Sequence, residues 1–355
     1  MKRAGGGMWR APLVLLAAAA QAAGCGGEPG AHRTAPSPGL RAATLTVDTL
    51  ERSFTVYVPR SPRSRPGVVL VLHGGAGGSG ARIRGFVGAE LEALAEEEGF
   101  LVAYPDGLAG SWNDCRADAA YGAKMRRVDD VGFVRELIRH LARSYGADPD
   151  RVFAMGYSNG GHLAYRLAIE MPDAVRGIAA FGANLPAPDG FDCREPTAPV
   201  RVMIVNGTAD PINPYGGGDV VAPDGTTLGA VRSAGETLAY FGRLAGHAGE
   251  PVRSAVVGAR DAVVGVERRA WSRRGRADVV LYTVRRGGHV IPSPSARFPD
   301  FLGRVERRFA AVVEAVRFFG LARRGLRVAA GGPDPWPGRP AAAQAAGVRV
   351  PATSG

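Results

Sequence analysis

Residues 156–161 read Gly156-Tyr157-Ser158-Asn159-Gly160-Gly161, directly after the apolar run Val152-Phe153-Ala154-Met155. This is a G-x-S-x-G element entered from a strand pattern and left into a helix pattern. A serine hydroxyl projects usefully from a strand only if the chain turns sharply beneath it. Small residues two positions to either side let that turn close without clashes. The spacing makes Ser158 a nucleophile candidate, and the N–H of Asn159 a donor to the oxyanion that its attack would create. In a chain with 51 glycines such a motif can arise by chance, so its flanks decide its value. Gly161-His162-Leu163-Ala164-Tyr165-Arg166-Leu167-Ala168 continues as an amphipathic helix, the context that the motif needs.

Working outward, apolar runs alternate with helical patterns. The runs predict strands over 44–48, 54–58, 68–73, 100–104, 152–157, 177–181, 200–206 and 279–284. Helical periodicity predicts helices over 86–98, 130–145, 159–171, 233–244 and 301–319. The central strands are apolar throughout rather than alternating, as parallel strands covered on both faces must be. The expected fold class is therefore α/β, a mostly parallel central sheet with helices on both faces. In such sheets the chemistry lies beyond the carboxyl ends of the strands.

A serine needs a base. Of the six histidines, His32 lies in a Gly/Pro/Ser-rich stretch, His140 and His162 fall inside helix patterns, and His247 follows one. His289 stands after the strand pattern 279–284 and Arg285-Arg286-Gly287-Gly288, at the mouth of the sheet and C-terminal to the serine. It is the candidate base. The orienting carboxylate is assigned to Asp210, in Asn206-Gly207-Thr208-Ala209-Asp210-Pro211 after the strand pattern 200–206, with Asp219 and Asp224 as alternatives. Leu72-His73-Gly74-Gly75-Ala76-Gly77-Gly78 has the form of a loop that brings backbone N–H groups to a substrate oxygen, with Gly75 favoured as second oxyanion donor and Ala76 next. His73 then reads as structural. Tyr157 and Trp112 are candidate substrate-wall residues, with core packing as the equal alternative for each, and Asp129 and Asp130 are expected to cap the helix that follows them rather than to catalyse.

The termini read differently from the middle. Lys2, Arg3 and Arg10 precede an apolar run over 11–20 that ends in Ala22-Ala23-Gly24-Cys25. Residues 1–24 are expected to be a signal peptide, and Cys25 a lipidated first residue that tethers the protein to a membrane; simple secretion is the alternative. Residues 25–40 read as the anchor and a flexible tether, 41–323 as the catalytic domain, and 324–355, rich in Ala, Gly and Pro, as a disordered tail. With Cys25 used, Cys115 and Cys193 remain, expected as one disulfide in an oxidising compartment, the alternative being two free thiols. No His/Cys spacing suggests a metal, and no cofactor is implied. Only Lys2 and Lys124 are lysine among 44 basic residues, and without residues 1–24 the net charge falls from +11 to +8. The arginines are dispersed rather than striped with aromatics, which argues against a nucleic-acid partner.

The chain resembles the polyhydroxybutyrate-depolymerase-like esterases, relatives of feruloyl and acetylxylan esterases, some of which are secreted lipoproteins. The matching stretches are Leu72-His73-Gly74-Gly75, Gly99-Phe100-Leu101-Val102-Ala103-Tyr104-Pro105-Asp106-Gly107, Ser111-Trp112-Asn113, Val128-Asp129-Asp130-Val131-Gly132-Phe133, Asp148-Pro149-Asp150-Arg151-Val152-Phe153, Gly156-Tyr157-Ser158-Asn159-Gly160-Gly161, Gly207-Thr208-Ala209-Asp210-Pro211 and Gly287-Gly288-His289. The resemblance implies an α/β-hydrolase fold with Ser158, Asp210 and His289 as the triad. Ile291 stands where the family often has tryptophan, and Asn206 where it often has histidine. The expected activity is that of an exported serine carboxylesterase acting on polyhydroxyalkanoate-type or plant-wall acyl esters. A secreted serine peptidase and a catalytically idle binding lipoprotein are the rival readings.

Overall fold

In the computed structural model, residues 37–259 and 262–322 are described. The expectations for the signal peptide, Cys25, His32 and the tail lie outside the described residues. Among the described residues twelve strands form: β1 (Gly39–Val47), β2 (Leu50–Val58), β3 (Val68–Leu72), β4 (Leu101–Pro105), β5 (Val152–Tyr157), β6 (Gly177–Phe181), β7 (Arg201–Gly207), β8 (Gly218–Val221), β9 (Thr227–Val231), β10 (Val252–Val257), β11 (Gly265–Trp271) and β12 (Val279–Arg285). The helices are α1 (Gly80–Glu98), α2 (Gly122–Met125), α3 (Asp130–Tyr145), α4 (Asn159–Glu170), α5 (Ala234–Leu244) and α6 (Ala311–Phe319).

Ten strands make one sheet in the order β1-β2-β4-β3-β5-β6-β7-β12-β11-β10. The six central strands, β4 to β12 in that order, run parallel. β1 and β2 at one edge, and β11 and β10 at the other, add in antiparallel fashion. The fully apolar strands sit at the centre because both of their faces are covered. Val68, Leu70 and Leu72 of β3 pack with α3, α4 and α5. Val69 and Val71 of the same strand pack with α1 and α6. This is the α/β-hydrolase architecture. The chain winds from β3 outward to β4, then returns to β5 on the other side, so the switch point lies between β3 and β5. The loops that leave these two strands carry Gly75 and Ser158.

Several boundaries differ from the sequence reading for physical reasons. β1 starts at Gly39, inside the expected tether, since pairing with β2 needs only backbone and not an apolar pattern. α1 starts at Gly80 rather than near residue 86, because the Ser79 hydroxyl accepts from the N–H of Arg82 and caps an earlier turn. The expected helix 301–319 is confined to α6. The carbonyls of Leu302 and Arg304 instead accept from the N–H groups of His289 and Gly288, which a continuous helix would forbid. β11 has no legible strand pattern because Glu267, Arg268 and Arg269 interrupt it, and in β10 Arg253 and Ser254 do the same. Glu267 is paired with Arg253 and Arg285, at 2.9 and 2.8 Å. Asp129 caps α3 through the N–H of Gly132 as expected, but Asp130 does not cap: its carboxylate is buried against Arg52 at 2.7 Å and the N–H of Asn113 at 2.7 Å.

Cys115 and Cys193 form a disulfide, with Cα atoms 5.0 Å apart. It joins the loop after β4 to the loop after β6. Two backbone bonds run beside it, Asp192 N–H to Cys115 O at 2.8 Å and Ala117 N–H to Gly190 O at 2.9 Å. The bridge spans 78 residues, so closing that loop lowers the entropy of the unfolded chain by an amount worth about 4–5 kcal/mol. The double variant Cys115→Ser/Cys193→Ser is expected to unfold at a lower temperature than wild type under oxidising conditions. The two proteins should melt together once a reductant is added; a melt unchanged by the double substitution contradicts this.

Candidate active site

Ser158 sits at the junction of β5 and α4 with φ 54° and ψ −121°, a strained backbone for a residue with a side chain. Its N–H donates to Phe181 O at 2.9 Å, and its carbonyl accepts from His162 N–H at 3.0 Å. The turn is so tight that neighbouring backbone fills the space of a side chain. A Cβ on Gly156 would meet Gly160 O at 2.1 Å, and one on Gly160 would meet Leu72 O at 2.3 Å. These contacts are the reason for glycine at both positions of the motif.

Ser158, His289 and Asp210 meet in space. The Ser158 hydroxyl lies 2.9 Å from Nε2 of His289, and Nδ1 of His289 lies 2.7 Å from Oδ2 of Asp210. The other Asp210 oxygen accepts from the N–H groups of Ile212 and Asn213, each at 2.8 Å, which fixes the carboxylate. An ionised carboxylate only accepts, so this network assigns the imidazole proton to Nδ1 and leaves Nε2 to accept from the serine. The His289 and Asp210 side chains are both buried. The imidazole's own backbone is held at both ends: its N–H donates to Leu302 O at 2.6 Å, and its carbonyl accepts from the Tyr157 hydroxyl at 2.7 Å. Asp219 and Asp224, the alternative acids, belong to the β8–β9 hairpin; Asp224 lines the cleft and accepts from the N–H of Thr226, while the bond to His289 is made by Asp210.

Asn159 is the first residue of α4, so its N–H belongs to the amides that have no acceptor within the helix. Gly75 lines the same cleft as Ser158. His73 braces the Gly75 loop. Its Nε2 accepts from Gly107 N–H at 2.8 Å and its Nδ1 donates to Gly74 O at 2.6 Å. Burial lowers its pKa, which suits a neutral imidazole that must accept on one side. Trp112 does not line the cleft. It is fully buried, and its indole N–H donates to His73 O at 2.9 Å, so it supports the loop from behind.

A buried polar cluster under the elbow was not legible as such. The Asn159 side chain accepts from Trp112 N–H at 2.7 Å and donates to Trp112 O and to Asp114 Oδ2, the latter at 2.7 Å. Asp114 is paired with Arg116 at 2.6 Å, both of them buried. Desolvation pushes the Asp114 carboxyl up, but the Arg116 charge and hydrogen bonds outweigh it and hold the carboxyl near 2. Arg116 also donates to Leu228 O at 3.1 Å, tying the cluster to β9.

The cleft above Ser158 has a volume of about 420 Å³ and a mostly apolar lining. Ile83, Phe86, Tyr157, Phe298 and Leu302 are part of the lining, together with Tyr121, Ile212 and Leu228. Phe86 and Phe298 stack at 4.4 Å. Of the two expected wall residues only Tyr157 takes part. The others come from segments with no motif, and no periodicity could have brought them together. Among the described residues no cluster of His, Cys, Asp and Glu has the form of a metal site.

With the geometry in place, three comparisons bear on it. Residues 54–217 match the model of the dienelactone hydrolase family. A putative esterase, NocK, of Nocardia uniformis subsp. tsuyamanensis is 29% identical over 348 residues, which cover 87% of this chain and 97% of that protein. Feruloyl esterase B of Piromyces equi is 28% identical over 46% of this chain, a stretch that spans 30% of its own length. The acetyl xylan esterase of Aspergillus awamori superposes with a TM-score of 0.53 over 79% of this chain and 100% of its own, at 17% identity, which speaks to the fold. The chain is an α/β-hydrolase-fold relative of the dienelactone hydrolase, feruloyl esterase and acetylxylan esterase families.

One expectation here concerns His162 on α4, buried beneath the elbow. Desolvation, then the Arg116 charge, lower its pKa to about 3 from an ordinary 6.5. The unfolded chain thus takes up a proton near pH 6.5 that the folded protein refuses until about pH 3. The stability from this group is present above pH 6.5 and is lost as the pH falls toward 3. In His162→Gln the melting temperature is expected to fall less steeply over that window than in wild type. Parallel pH curves for the two proteins contradict it.

Proposed function

We propose that this protein is a serine carboxylesterase that works through an acyl-enzyme. Ser158 attacks the ester carbonyl while His289 takes its proton at Nε2 and later delivers it to the leaving alcohol. Asp210 keeps the imidazole in the required tautomer and stabilises the imidazolium. The N–H groups of Asn159 and Gly75 hold the oxyanion, and water then releases the acid. What carries the reading is the relay from the serine hydroxyl through both imidazole nitrogens to a fixed carboxylate, at 2.9 and 2.7 Å. An idle binding protein has no need to hold Ser158 in a strained turn within reach of a base. The apolar cleft and the names of the relatives favour carboxylic esters with an apolar acyl or alcohol part, of the polyhydroxyalkanoate or plant-wall acyl type. The basic and apolar start of the chain favours export, with Cys25 as the lipid-bearing residue.

The first test is Ser158→Ala against a panel of p-nitrophenyl esters, feruloyl esters, acetylated xylan and a polyhydroxyalkanoate film. Activity is expected to fall by a factor of about a thousand or more while the thermal melt is unchanged. A variant that keeps most of its activity removes the nucleophile assignment. Asp210→Asn is expected to reduce kcat strongly, since an amide favours the wrong imidazole tautomer, whereas Asp219→Asn and Asp224→Asn should differ little from wild type. Detergent phase partitioning of the exported protein against Cys25→Ser tests the anchor: only wild type should enter the detergent phase.

A further inference from the structure

Tyr121 belongs to no motif and has no part in the triad, yet it occupies the space directly against the oxyanion loop. A Cβ placed on Gly75 would lie 2.7 Å from its Cε1, 2.8 Å from its Cζ and 2.9 Å from its hydroxyl. The polar end of the ring therefore rests on the residue whose N–H is assigned to the oxyanion, and Tyr121 lines the same cleft as Ser158 and His289. Its position is set from two sides. Val220, Leu228 and Val231 of the β8–β9 hairpin form a small core against which its ring packs. Arg116 stands 5.5 Å from the ring centroid, anchored by the buried Asp114 carboxylate. The Arg116 charge also acts on the phenol, lowering its pKa against the larger effect of burial. A phenol hydroxyl has one proton to give, and Tyr121 lines the cleft in which the oxyanion forms.

The geometry points to Tyr121 as a third donor to the oxyanion, its hydroxyl adding to the N–H groups of Asn159 and Gly75. This rests on the esterase reading above. The proton stays on the tyrosine throughout: the hydroxyl donates a hydrogen bond that strengthens as the carbonyl oxygen gains charge, and no bond of its own is broken. Burial raises the phenol's pKa and outweighs the lowering by Arg116, so the hydroxyl is present as a donor at neutral pH. The positive charge of Arg116 beside the ring makes the hydroxyl a better donor without ionising it. The arrangement also gives the buried Asp114–Arg116 pair a purpose at the site: Asp114 orients one donor residue, Asn159, through its side chain, and the other, Tyr121, through Arg116.

Tyr121→Phe tests the assignment, because it retains the ring that covers Gly75 and removes only the hydroxyl. With p-nitrophenyl butyrate, kcat is expected to fall on the order of tenfold to a hundredfold while KM changes by less than about threefold, a smaller loss than removal of an indispensable oxyanion donor causes. Inhibition by phenylboronic acid, which forms a tetrahedral adduct on the serine, should weaken by a similar factor. An unchanged kcat, or a lowered kcat with boronate affinity intact, overturns the assignment. A fluorinated tyrosine at position 121 provides a readout independent of any loss of packing. Its hydroxyl, more acidic yet still protonated, should restore the kcat and the boronate affinity lost in Tyr121→Phe, and a fluorotyrosine protein as slow as Tyr121→Phe also overturns it. Wild type without activity on any ester removes the parent reading, and this one with it; wild type that is active beside an equally active Tyr121→Phe removes this one alone.

Discussion

The backbone of Ser158 is the constraint around which this molecule is arranged. Its φ of 54° costs on the order of 1–3 kcal/mol and persists only because its surroundings leave the chain no other course. β5 is buried on both faces and paired with β3 and β6, so the chain enters the turn along a fixed line. α4 leaves it packed against the same sheet, with the Gly160 backbone pressed to the carbonyls of Leu72 and His73. The hydroxyl is thereby presented to the cleft. Asp210 and His289 leave the adjacent strands β7 and β12 at the same edge of the sheet, and their loops have only a short distance to span.

Beneath the elbow the protein spends burial on charge rather than on hydrocarbon. Asp114 with Arg116, and Asp130 with Arg52, are ion pairs out of contact with water. Such pairs add little net stability against apolar replacements, because desolvation offsets most of the attraction. Their value here is positional. Each carboxylate accepts from more than one donor, and together they fix Asn113, Asn159 and the chain that carries Trp112 in one arrangement. The disulfide at Cys115 closes the same loop covalently. Loop residues without regular backbone pairing are thereby held as firmly as strand residues.

The sequence and the structure diverge in an instructive pattern. The central strands and the elbow were legible because each satisfies a local rule: an apolar run, a glycine pair, a strand end followed by a polar turn. Gly287-Gly288-His289 was legible for the same reason. Asp130 was misread as a cap because its neighbour Asp129 meets the local capping rule, whereas the pairing of Asp130 with Arg52 spans 78 residues. For Trp112 substrate wall and core packing were equally open from the sequence, and the core is where its indole N–H finds its acceptor. Apart from Tyr157 the cleft wall was not legible, since Phe86, Phe298, Tyr121 and Leu228 come from four segments that share no period.

By itself the sequence determined the layered α/β class, the serine at a strand-to-helix turn, and the order in which an acid and a base follow it. These depend on short-range geometry, which a window of a few residues contains. Tertiary structure alone decided that Asp210 rather than Asp219 or Asp224 faces His289, because the choice depends on which loop returns to the sheet and which becomes a hairpin. It also decided what surrounds the reacting atoms. The shape of the cleft, the ring lying on Gly75 and the charges beneath the elbow arise from contacts between residues far apart in the chain, and the distances between them exist only once the sheet has closed.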